Sequence, residues 1–292
     1  MFVLLLVLVP SFRSSTTTVA ATSASPPGSF ALQTQGNGEV ASLATQNSST
    51  VAQNGHYVTT VSTHSLNYRG GSGWPPINDS LVPAAAAGFA YQNQANRYTV
   101  SLPPTLASPV RVSSGSAWAQ FSLAGGSGTG TVSGATDTFP LPHGSLRLAA
   151  QSDAVKESIT LAGPGAPSSY RFALQLSPGF TAQQNTAGGI DLLDGQGAVA
   201  FSLAPPSMTD QASATHGVAM SLEQDSTGYT VALQGDQSWL ADPARSWPVV
   251  IDPTMLLPGT TQDCSITGGG YANQHYCGGL LLKVGYDGYS RP

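Results

Sequence analysis

Charged side chains are scarce in this chain of 292 residues, where they make up 9% of the sequence. An average globular protein has about 25%, and this chain has only three glutamates and two lysines. Surface helices depend on Glu, Lys and Arg, so the composition argues against a helical fold. The 33 glycines and 21 prolines interrupt regular elements throughout. A surface of Ser, Thr, Gln and Asn predicts an all-β protein.

Positive charge is also sparse. The net charge is -5, and the sequence contains no cluster of Lys or Arg. Such a chain has little with which to neutralise a run of phosphates, and it lacks a polybasic segment for an anionic membrane. We therefore expect that nucleic acid is not a partner.

Long hydrophobic runs are missing apart from residues 1–9. This run is far shorter than the roughly 20 residues that span a bilayer, so no transmembrane segment is expected. It fits a secretory signal with small-residue cleavage positions after Ala21 or Ala24, although no Lys or Arg precedes it. A buried N-terminal strand is the alternative. We expect residues 1–24 to be a signal peptide and the protein to be secreted, extracellular or associated with the cell wall.

Only two cysteines are present, Cys264 and Cys277. In an exported protein this spacing indicates a local disulfide, with two free thiols as the alternative. Closing such a loop would stabilise the fold by about 3 kcal/mol in the chain-entropy model. Two cysteines without an accompanying pair of His or Cys residues are weak support for zinc.

Motifs for hydrolysis are missing as well. No Gly-x-Ser-x-Gly nucleophile elbow occurs, and His143-Gly144-Ser145 is interpreted as a turn, because adjacency in sequence is not triad geometry. Glycoside hydrolysis needs two carboxylates. Glu157 is the best candidate, but we expect it to pair with Lys156 at the start of a strand. No catalytic residue is assigned.

The sequence also gives little support for a metal or cofactor site. The five histidines are scattered, without His-x-His or His-Glu-x-x-His. Asp191, Asp194 and Asp287-Gly288 suit turns in which aspartate bonds its own backbone; a calcium site built from them is the alternative. The glycine-rich segment 125–130 lacks the Gly-Lys-Ser/Thr ending of a phosphate loop and is interpreted as a hairpin connection. We expect no metal and no cofactor.

The sequence does contain a recurrent alternation of apolar and polar residues. In its clearest case, residues 170–176, four large apolar side chains share one face. Two hairpins are predicted, residues 190–203 around Asp194-Gly195-Gln196-Gly197 and residues 218–233 around Asp225-Ser226-Thr227-Gly228. Short alternating strands between Gly, Pro and Asp turns predict antiparallel sheets packed face to face.

These patterns divide the chain behind the signal into three parts. Residues 25–56 are rich in Ser, Thr and Gly and predict a flexible leader, because they bury too little apolar surface to offset the entropy of ordering. Residues 57–255 are expected to form an antiparallel β-sandwich, with a first strand near residues 57–61. Residues 256–292 are expected to begin a second β module that the chain leaves incomplete.

The segment 239–254 closes the predicted sandwich. Pro243 and Pro248 exclude a helix, because each lacks an amide proton and restricts the residue before it. Val249-Val250-Ile251 is a β-branched run suited to a strand buried on both faces, and Asp252-Pro253 ends that strand.

Several short segments occur in a fixed order: Trp74-Pro75-Pro76-Ile77-Asn78-Asp79-Ser80-Leu81-Val82-Pro83, Tyr98-Thr99-Val100-Ser101-Leu102-Pro103, Val155-Lys156-Glu157-Ser158-Ile159, Pro206-Ser207-Met208-Thr209-Asp210, Trp239-Leu240-Ala241-Asp242-Pro243-Ala244-Arg245 and Ile251-Asp252-Pro253-Thr254. Together they resemble the N-terminal β-rich region of large secreted actinobacterial proteins that carry a DNRLRE domain and often RHS (YD) repeats. The resemblance covers about residues 70–255. It implies that a DNRLRE domain, a β-sandwich similar to carbohydrate-binding modules, begins with residues 263–266 and 280–285. It carries over no catalytic residue, and the chain has no YD repeats.

We therefore expect a non-enzymatic structural or adhesive module at the N-terminus of a larger RHS/DNRLRE-type protein. Its partners would be the downstream modules and cell-wall or extracellular glycan. Tyr271, Tyr276 and Tyr286 lie in a glycine-rich tail and are candidate glycan contacts. One alternative is a glycan-binding module that uses these tyrosines. The other is a carbohydrate-active enzyme that uses Glu157 and an aspartate.

Overall fold

The computed structural model describes residues 3–6, 16–22, 38–54, 56–226, 228–257, 264–266 and 275–277. β-strands dominate these residues, and the protein is all-β, as its composition predicts. The chain forms two compact units, one made of residues 1–67 with 259–292 and the other of residues 68–258.

The first unit contains an antiparallel sheet with the strand order β1-β2-β5-β4-β3. Its elements are β1 (Val3–Leu6), β2 (Thr16–Thr22), β3 (Gly38–Glu39), a 3-10 turn (Ala41–Leu43), β4 (Ser48–Gln53) and β5 (His56–Ser62). β5 contains the predicted first strand, but it pairs within this sheet, whereas the predicted sandwich begins at Tyr57. The predicted domain boundaries otherwise stay predictions.

β4 lies in the stretch that the composition predicts to be a flexible leader, and its residues take part in the packing and hydrogen bonding of the sheet. Thr50 and Ala52 are 2% and 6% exposed, and the hydroxyls of Thr50 and Thr59 are hydrogen bonded at 2.9 Å. The Asn67 side chain donates to the Thr45 carbonyl at 2.6 Å. Cross-strand hydrogen bonds thus order a segment that has few large apolar side chains.

The second unit is built from antiparallel strands and one helical turn. Its elements are β6 (Asn78–Pro83), β7 (Tyr91–Ala95), β8 (Thr99–Leu102), β9 (Val110–Ser114), β10 (Ala117–Leu123), β11 (Thr131–Ser133), β12 (Thr136–Leu141), β13 (Gly144–Gln151), β14 (Ala154–Leu161), β15 (Ser169–Leu176), β16 (Thr181–Gln184), β17 (Ile190–Leu193), β18 (Val199–Leu203), β19 (Ser207–Asp210), β20 (Thr215–Asp225), β21 (Gly228–Gly235), α1 (Gln237–Leu240), β22 (Val249–Asp252) and β23 (Thr254–Leu256).

These strands belong to two sheets. Sheet I contains β6–β10, β15, β20 and β21. Sheet II contains β11–β14, β16–β19, β22 and β23. The long strand β20 connects them, because residues 215–217 pair with β19 and residues 218–225 pair with β21.

The hydrophobic core is built from the inward faces of both sheets. In β15 of sheet I, Tyr170, Phe172 and Leu174 are buried while the residues between them are exposed, which confirms the predicted alternation. Ile159 and Phe201 of sheet II are fully buried in the same apolar cluster. This packing of two sheets through one apolar layer is the sandwich-like arrangement that the periodicity predicts.

Both predicted hairpins are confirmed. β17 pairs with β18, and Asp194 Oδ1 accepts hydrogen bonds from the amides of Gln196 and Ala198 at 2.9 Å. Gly197 has a φ of +80° there, a conformation that glycine adopts without strain. β20 pairs with β21, with Asp225 opposite Gly228.

The segment 239–254 differs from its prediction at its start. α1 extends into it as far as Leu240, so the predicted exclusion of helix is wrong for this turn. Asp236 caps α1 by accepting hydrogen bonds from the amides of Ser238 and Trp239. β22 then forms and ends at Asp252, as predicted. Val249 and Ile251 are buried, but Val250 is half-buried, so only one face of this strand is fully covered.

Two short strands belong to residues 259–292. β24 (Cys264–Ile266) pairs with β25 (His275–Cys277) in an antiparallel, two-stranded sheet. No helix among the described residues has the length and apolar character required to cross a membrane.

Candidate functional site

Glu157 lies on the core side of β14, although its side chain is acidic. The strand alternates so that Val155, Glu157 and Ile159 share the inward face, and Glu157 is 5% exposed. It lines a cavity of about 20 Å³ between the two sheets, which is room for about one water molecule. The other lining residues are apolar: Phe121, Phe172, Leu174, Leu203, Met220, Val231, Leu233, Pro253 and Met255.

The carboxyl of Glu157 has no hydrogen-bond donor among the described residues. Burial raises its pKa to about 8, and the charge of Asp252 adds to this effect. An apolar cavity disfavours the charged form of a carboxyl, so burial here favours the protonated form of Glu157.

Lys156 does not pair with Glu157, contrary to the prediction. Its Nζ lies 2.6 Å from Asp252 Oδ2, and both of these side chains are about one-third exposed. The reason is geometric, since consecutive residues of a strand point to opposite faces of the sheet. The Lys156–Asp252 pair therefore lies on the outer face of the sheet, and Glu157 lies on the inner face.

A second group of polar residues surrounds α1, and we call it the Trp239 cluster: His216, Asp236, Trp239, Arg245 and Asp210. His216 Nε2 lies 3.1 Å from Asp236 Oδ2, and the imidazole stacks on the Trp239 ring with a centroid distance of 5.7 Å. The Arg245 guanidinium covers the same ring at 3.4 Å from its centroid. The indole ring thus contacts both the His216 imidazole and the Arg245 guanidinium.

The buried side of this cluster is an ion pair. Arg245 Nη1 donates to Asp210 Oδ2 at 2.8 Å, and the two side chains are 8% and 2% exposed. Burial raises the pKa of Asp210, but hydrogen bonds from the Ala214 amide and from Arg245 outweigh it, so the pKa is lowered. Arg245 Nε also donates to the Trp239 carbonyl at 3.1 Å. The pair anchors the loop between α1 and β22 to β19.

The exposed side of the Trp239 cluster contains the Asp236 carboxylate and the groups that bind it. The Ser238 side chain donates to Asp236 Oδ1 at 2.6 Å, and this bond, with the two amides of the helix cap, lowers the pKa of Asp236 to about 2. His216 and Asp236 are 43% and 40% exposed. The His216 imidazole and the Asp236 carboxylate thus form an exposed hydrogen-bonded pair.

Asp137 is a buried carboxyl of a different kind. It is fully buried in β12, and neither carboxyl oxygen has a hydrogen-bond partner among the described residues. Burial raises its pKa, and the nearby amides of Thr138 and Thr131 lower it less. A Cβ on Gly130 would overlap this carboxyl, and one on Gly128 would overlap the Pro140 carbonyl. Close packing therefore explains part of the glycine-rich segment 125–130 without a phosphate ligand.

Of the segment His143-Gly144-Ser145, which is predicted to be a turn, only His143 lies in the turn, because Gly144 and Ser145 begin β13. β12 and β13 pair as far as Leu141 and Gly144, which leaves a two-residue loop between them. His143 has a φ of +63°, as expected at the third position of a tight turn.

Metal ligands do not converge in the part of the chain that the structure describes, where no group of three or more His, Cys, Asp or Glu residues is placed to hold an ion. Asp191 accepts hydrogen bonds from the side chains of Asn185 and Ser202. Asp194 accepts hydrogen bonds from backbone amides of its own turn. Asp287-Gly288 lies outside the described residues.

The tyrosine and cysteine predictions stay predictions. Tyr271 and Tyr286 lie outside the described residues, and Tyr276 is described only through the backbone of β25. The backbone register places Cys264 opposite Cys277 in the pairing of β24 with β25.

The protein is all-β and contains a two-layer antiparallel unit. Comparison with known proteins identifies relatives of part of the chain. No family model matches the chain, and no solved structure matches it. It is 36% identical over 94 residues to the tRNA nuclease WapA of Bacillus subtilis and to the tRNA(Glu)-specific nuclease WapA of Bacillus subtilis subsp. natto. It is 35% identical over 94 residues to the tRNA3(Ser)-specific nuclease WapA of Bacillus spizizenii.

Each match covers 30% of this chain, and the chain spans about 4% of the length of the curated relatives it matches. These relatives overturn the expected function. The expectations of a non-enzymatic module, of a protein that is not an enzyme, and of no nucleic-acid partner are wrong, because the relatives are named as nucleases of tRNA. The arguments from charge and motifs concern only the 292 residues of this chain. The match corresponds to about 4% of each relative.

The sequence pointed to Glu157 as a candidate residue but predicted neither its inward position nor the Trp239 cluster. Glu157 shares its alternation phase with Ile159 and Leu161, so the two-residue period was a signal for its inward position. Asp210 and Arg245 are 35 residues apart, and no local pattern connects them.

Proposed function

We propose that this chain is a segment of a nuclease that acts on tRNA. The supporting observation is its identity of 36% over 94 residues to proteins named as tRNA nucleases. The proposal concerns the whole protein to which these residues belong, since the match covers about 4% of each relative.

Purified chain incubated with total tRNA, with and without Mg²⁺, tests the proposal on a denaturing gel. Cleavage of tRNA but not of 5S ribosomal RNA would support it. The proposal fails if neither the purified chain nor the protein isolated from its host cleaves tRNA.

If the purified chain itself cleaves tRNA, the His216–Asp236 pair is the first arrangement to test. A variant His216→Gln removes the imidazole of this pair, while the buried Asp210–Arg245 pair stays in place. The matched control is His143→Gln, which changes a histidine in a turn far along the sequence.

We also propose that the protein is secreted. The short apolar run of residues 1–9 and the small residues near positions 21–24 support this proposal. Residues 1–24 fused to alkaline phosphatase should give activity outside the cytoplasm. A fusion that stays inside the cell would contradict it.

Two proposals concern the region after residue 256. We propose that it begins a DNRLRE-like domain, supported by the ordered segments that resemble that family, and that Cys264 and Cys277 form a disulfide, supported by their opposed positions in the β24–β25 register. Alkylation of both cysteines only after reduction, measured by mass spectrometry, would support the disulfide. A crystal structure with residues 256–292 in helices would refute the domain.

A further inference from the structure

The Glu157 cavity places an ionisable group where water has little access. Its walls are the inward side chains of β10, β15, β20 and β21 of sheet I and of β18 and β23 of sheet II. With room for about one water molecule, the cavity cannot hydrate a carboxylate as bulk solvent does. Ionisation of Glu157 is therefore disfavoured while the cavity is closed and becomes easier if the side chain leaves or the walls open.

The charged groups near Glu157 are Asp252 and Lys156, and neither of them lines the cavity. None of the other residues that line the cavity is titratable. Asp252 at the end of β22 is the charge that acts on the Glu157 carboxyl, and Lys156 on the outer face of β14 pairs with Asp252. An ionised Glu157 would thus meet a like charge from β22 and no cation from the cavity.

The pairing of β14 with the segment that contains Asp252 is interrupted next to Glu157. β14 pairs with β22 through Ile159 and Ile251, and with β23 through Val155 and Met255. Between these two stretches stands Pro253, which has no amide proton to donate. There the Glu157 amide donates to the Pro253 carbonyl at 3.1 Å.

We propose that Glu157 is a proton-operated latch on the corner formed by residues 249–257. With the carboxyl protonated, the corner stays closed on β14 and covers the cavity. With the carboxyl ionised, the corner separates from β14 at Pro253 and admits water to the carboxylate. This regulatory property is independent of the nuclease proposal.

The direction of the pH effect follows from the two states. The pKa of Glu157 is about 8 with the cavity closed, against an ordinary value of 4.5 when the side chain reaches water. The closed state is therefore fully favoured below pH 4.5, and this advantage is lost as the pH rises through about 8. One proton is released on opening, so the opening equilibrium should grow about tenfold per pH unit in that interval.

Hydrogen exchange of the full chain between pH 5 and pH 9, read by mass spectrometry, tests the latch. In the wild type, protection of residues 249–257 should fall relative to Glu157→Gln by about tenfold per pH unit up to about pH 8 and then level off. The comparison at each pH cancels intrinsic exchange rates and the titration of Asp79 and Asp137, whose pKa values burial also raises.

Three further variants make the result specific. Glu157→Met should be as independent of pH as Glu157→Gln, and it replaces the latter if the amide does not fold. Asp252→Asn removes the like charge and should move the levelling-off to lower pH. Glu39→Gln, at an exposed position in β3, should behave as the wild type.

The proposal is wrong if protection of residues 249–257 depends on pH in the same way with Glu157 and with Gln or Met in its place. It is also wrong if the extra exchange appears elsewhere in the unit and not in this corner. Titration of the ¹³C-labelled Glu157 carboxyl near its ordinary value would overturn it as well.

Discussion

Gly144 stands at the start of β13, where the chain leaves the tight turn at His143. A Cβ built on this residue would overlap the carbonyl oxygen of Thr160 and lie 2.9 Å from its carbonyl carbon. Both atoms belong to the backbone of β14, which cannot rotate away as a flexible side chain would. The substitution Gly144→Ala therefore forces β13 and β14 apart at their first pair, Gly144 with Leu161.

The cost has two parts. The strands must separate by roughly 1 Å to relieve the overlap, and overpacking of this kind costs about 1–3 kcal/mol. The movement also stretches the hydrogen bond from the Ala162 amide to the His143 carbonyl, now 2.9 Å, and such a bond contributes about 0.5–1.5 kcal/mol. We expect a loss of about 2–4 kcal/mol, which is a midpoint lower by about 5–15 °C in a unit of this size.

Tryptophan fluorescence is a suitable assay, because all four tryptophans lie within residues 68–258 and report on that unit alone: Trp74, Trp118, Trp239 and Trp247. Gly217→Ala is the matched control. Gly217 is exposed in β20, and a Cβ there would meet nothing within 4 Å. Alanine in a strand interior is about 0.5–1 kcal/mol more favourable than glycine, so the control should be unchanged or slightly more stable.

A free energy of unfolding for Gly144→Ala within about 0.5 kcal/mol of the wild type would refute the reasoning. It would mean that β13 and β14 can separate at this point without loss, and that the close approach of their backbones is not a constraint on the fold.

Further expected outcomes concern the core, the buried ion pair and the helix cap. Phe201→Ala, at a fully buried position, should lower the free energy of unfolding by about 3–5 kcal/mol, whereas Val199→Ala in the same strand, 42% exposed, should change it by less than about 0.5 kcal/mol; equal losses in urea denaturation would contradict the assigned core. Arg245→Met leaves Asp210 buried without its partner and should lower the thermal midpoint by roughly 5–15 °C, with an unchanged midpoint as the contrary result. Asp236→Ala should destabilise the unit near pH 7 through the lost cap. Because the pKa of Asp236 is lowered from 3.8 to about 2, its stabilisation is present above the unfolded value and lost as the pH falls through about 2. The difference between this variant and the wild type should therefore vanish in calorimetry near pH 2.

Much of the strand framework follows from the sequence. The alternation of Tyr170, Phe172 and Leu174 predicted one buried face, and the turn at Asp194 and Gly197 predicted a hairpin. Both signals are local, since side-chain period and turn conformation depend on a few consecutive residues. The segment around β4 was missed, because its order depends on hydrogen bonds to β5 and to Asn67 and not on its own hydrophobicity.

The candidate sites were harder to predict. A motif search favoured adjacent residues such as Lys156 and Glu157, but a strand turns neighbours to opposite faces. The expected function failed for a different reason. The relatives named as tRNA nucleases are 35–36% identical to this chain over 94 residues, and composition, charge and motif spacing did not reveal this similarity.

The order of amino acids alone determined that this protein is all-β, with short strands, tight turns and few charges, because those properties arise from the preferences of each short segment. Tertiary structure alone decided that Glu157 faces a cavity, that Asp210 meets Arg245 and that His216 meets Asp236. The partners in each case come from different strands or loops, and only the pairing of the sheets brings them within reach. Burial and charge pairing, which set the pKa values of these carboxyls, depend on that packing and have no counterpart in the linear sequence.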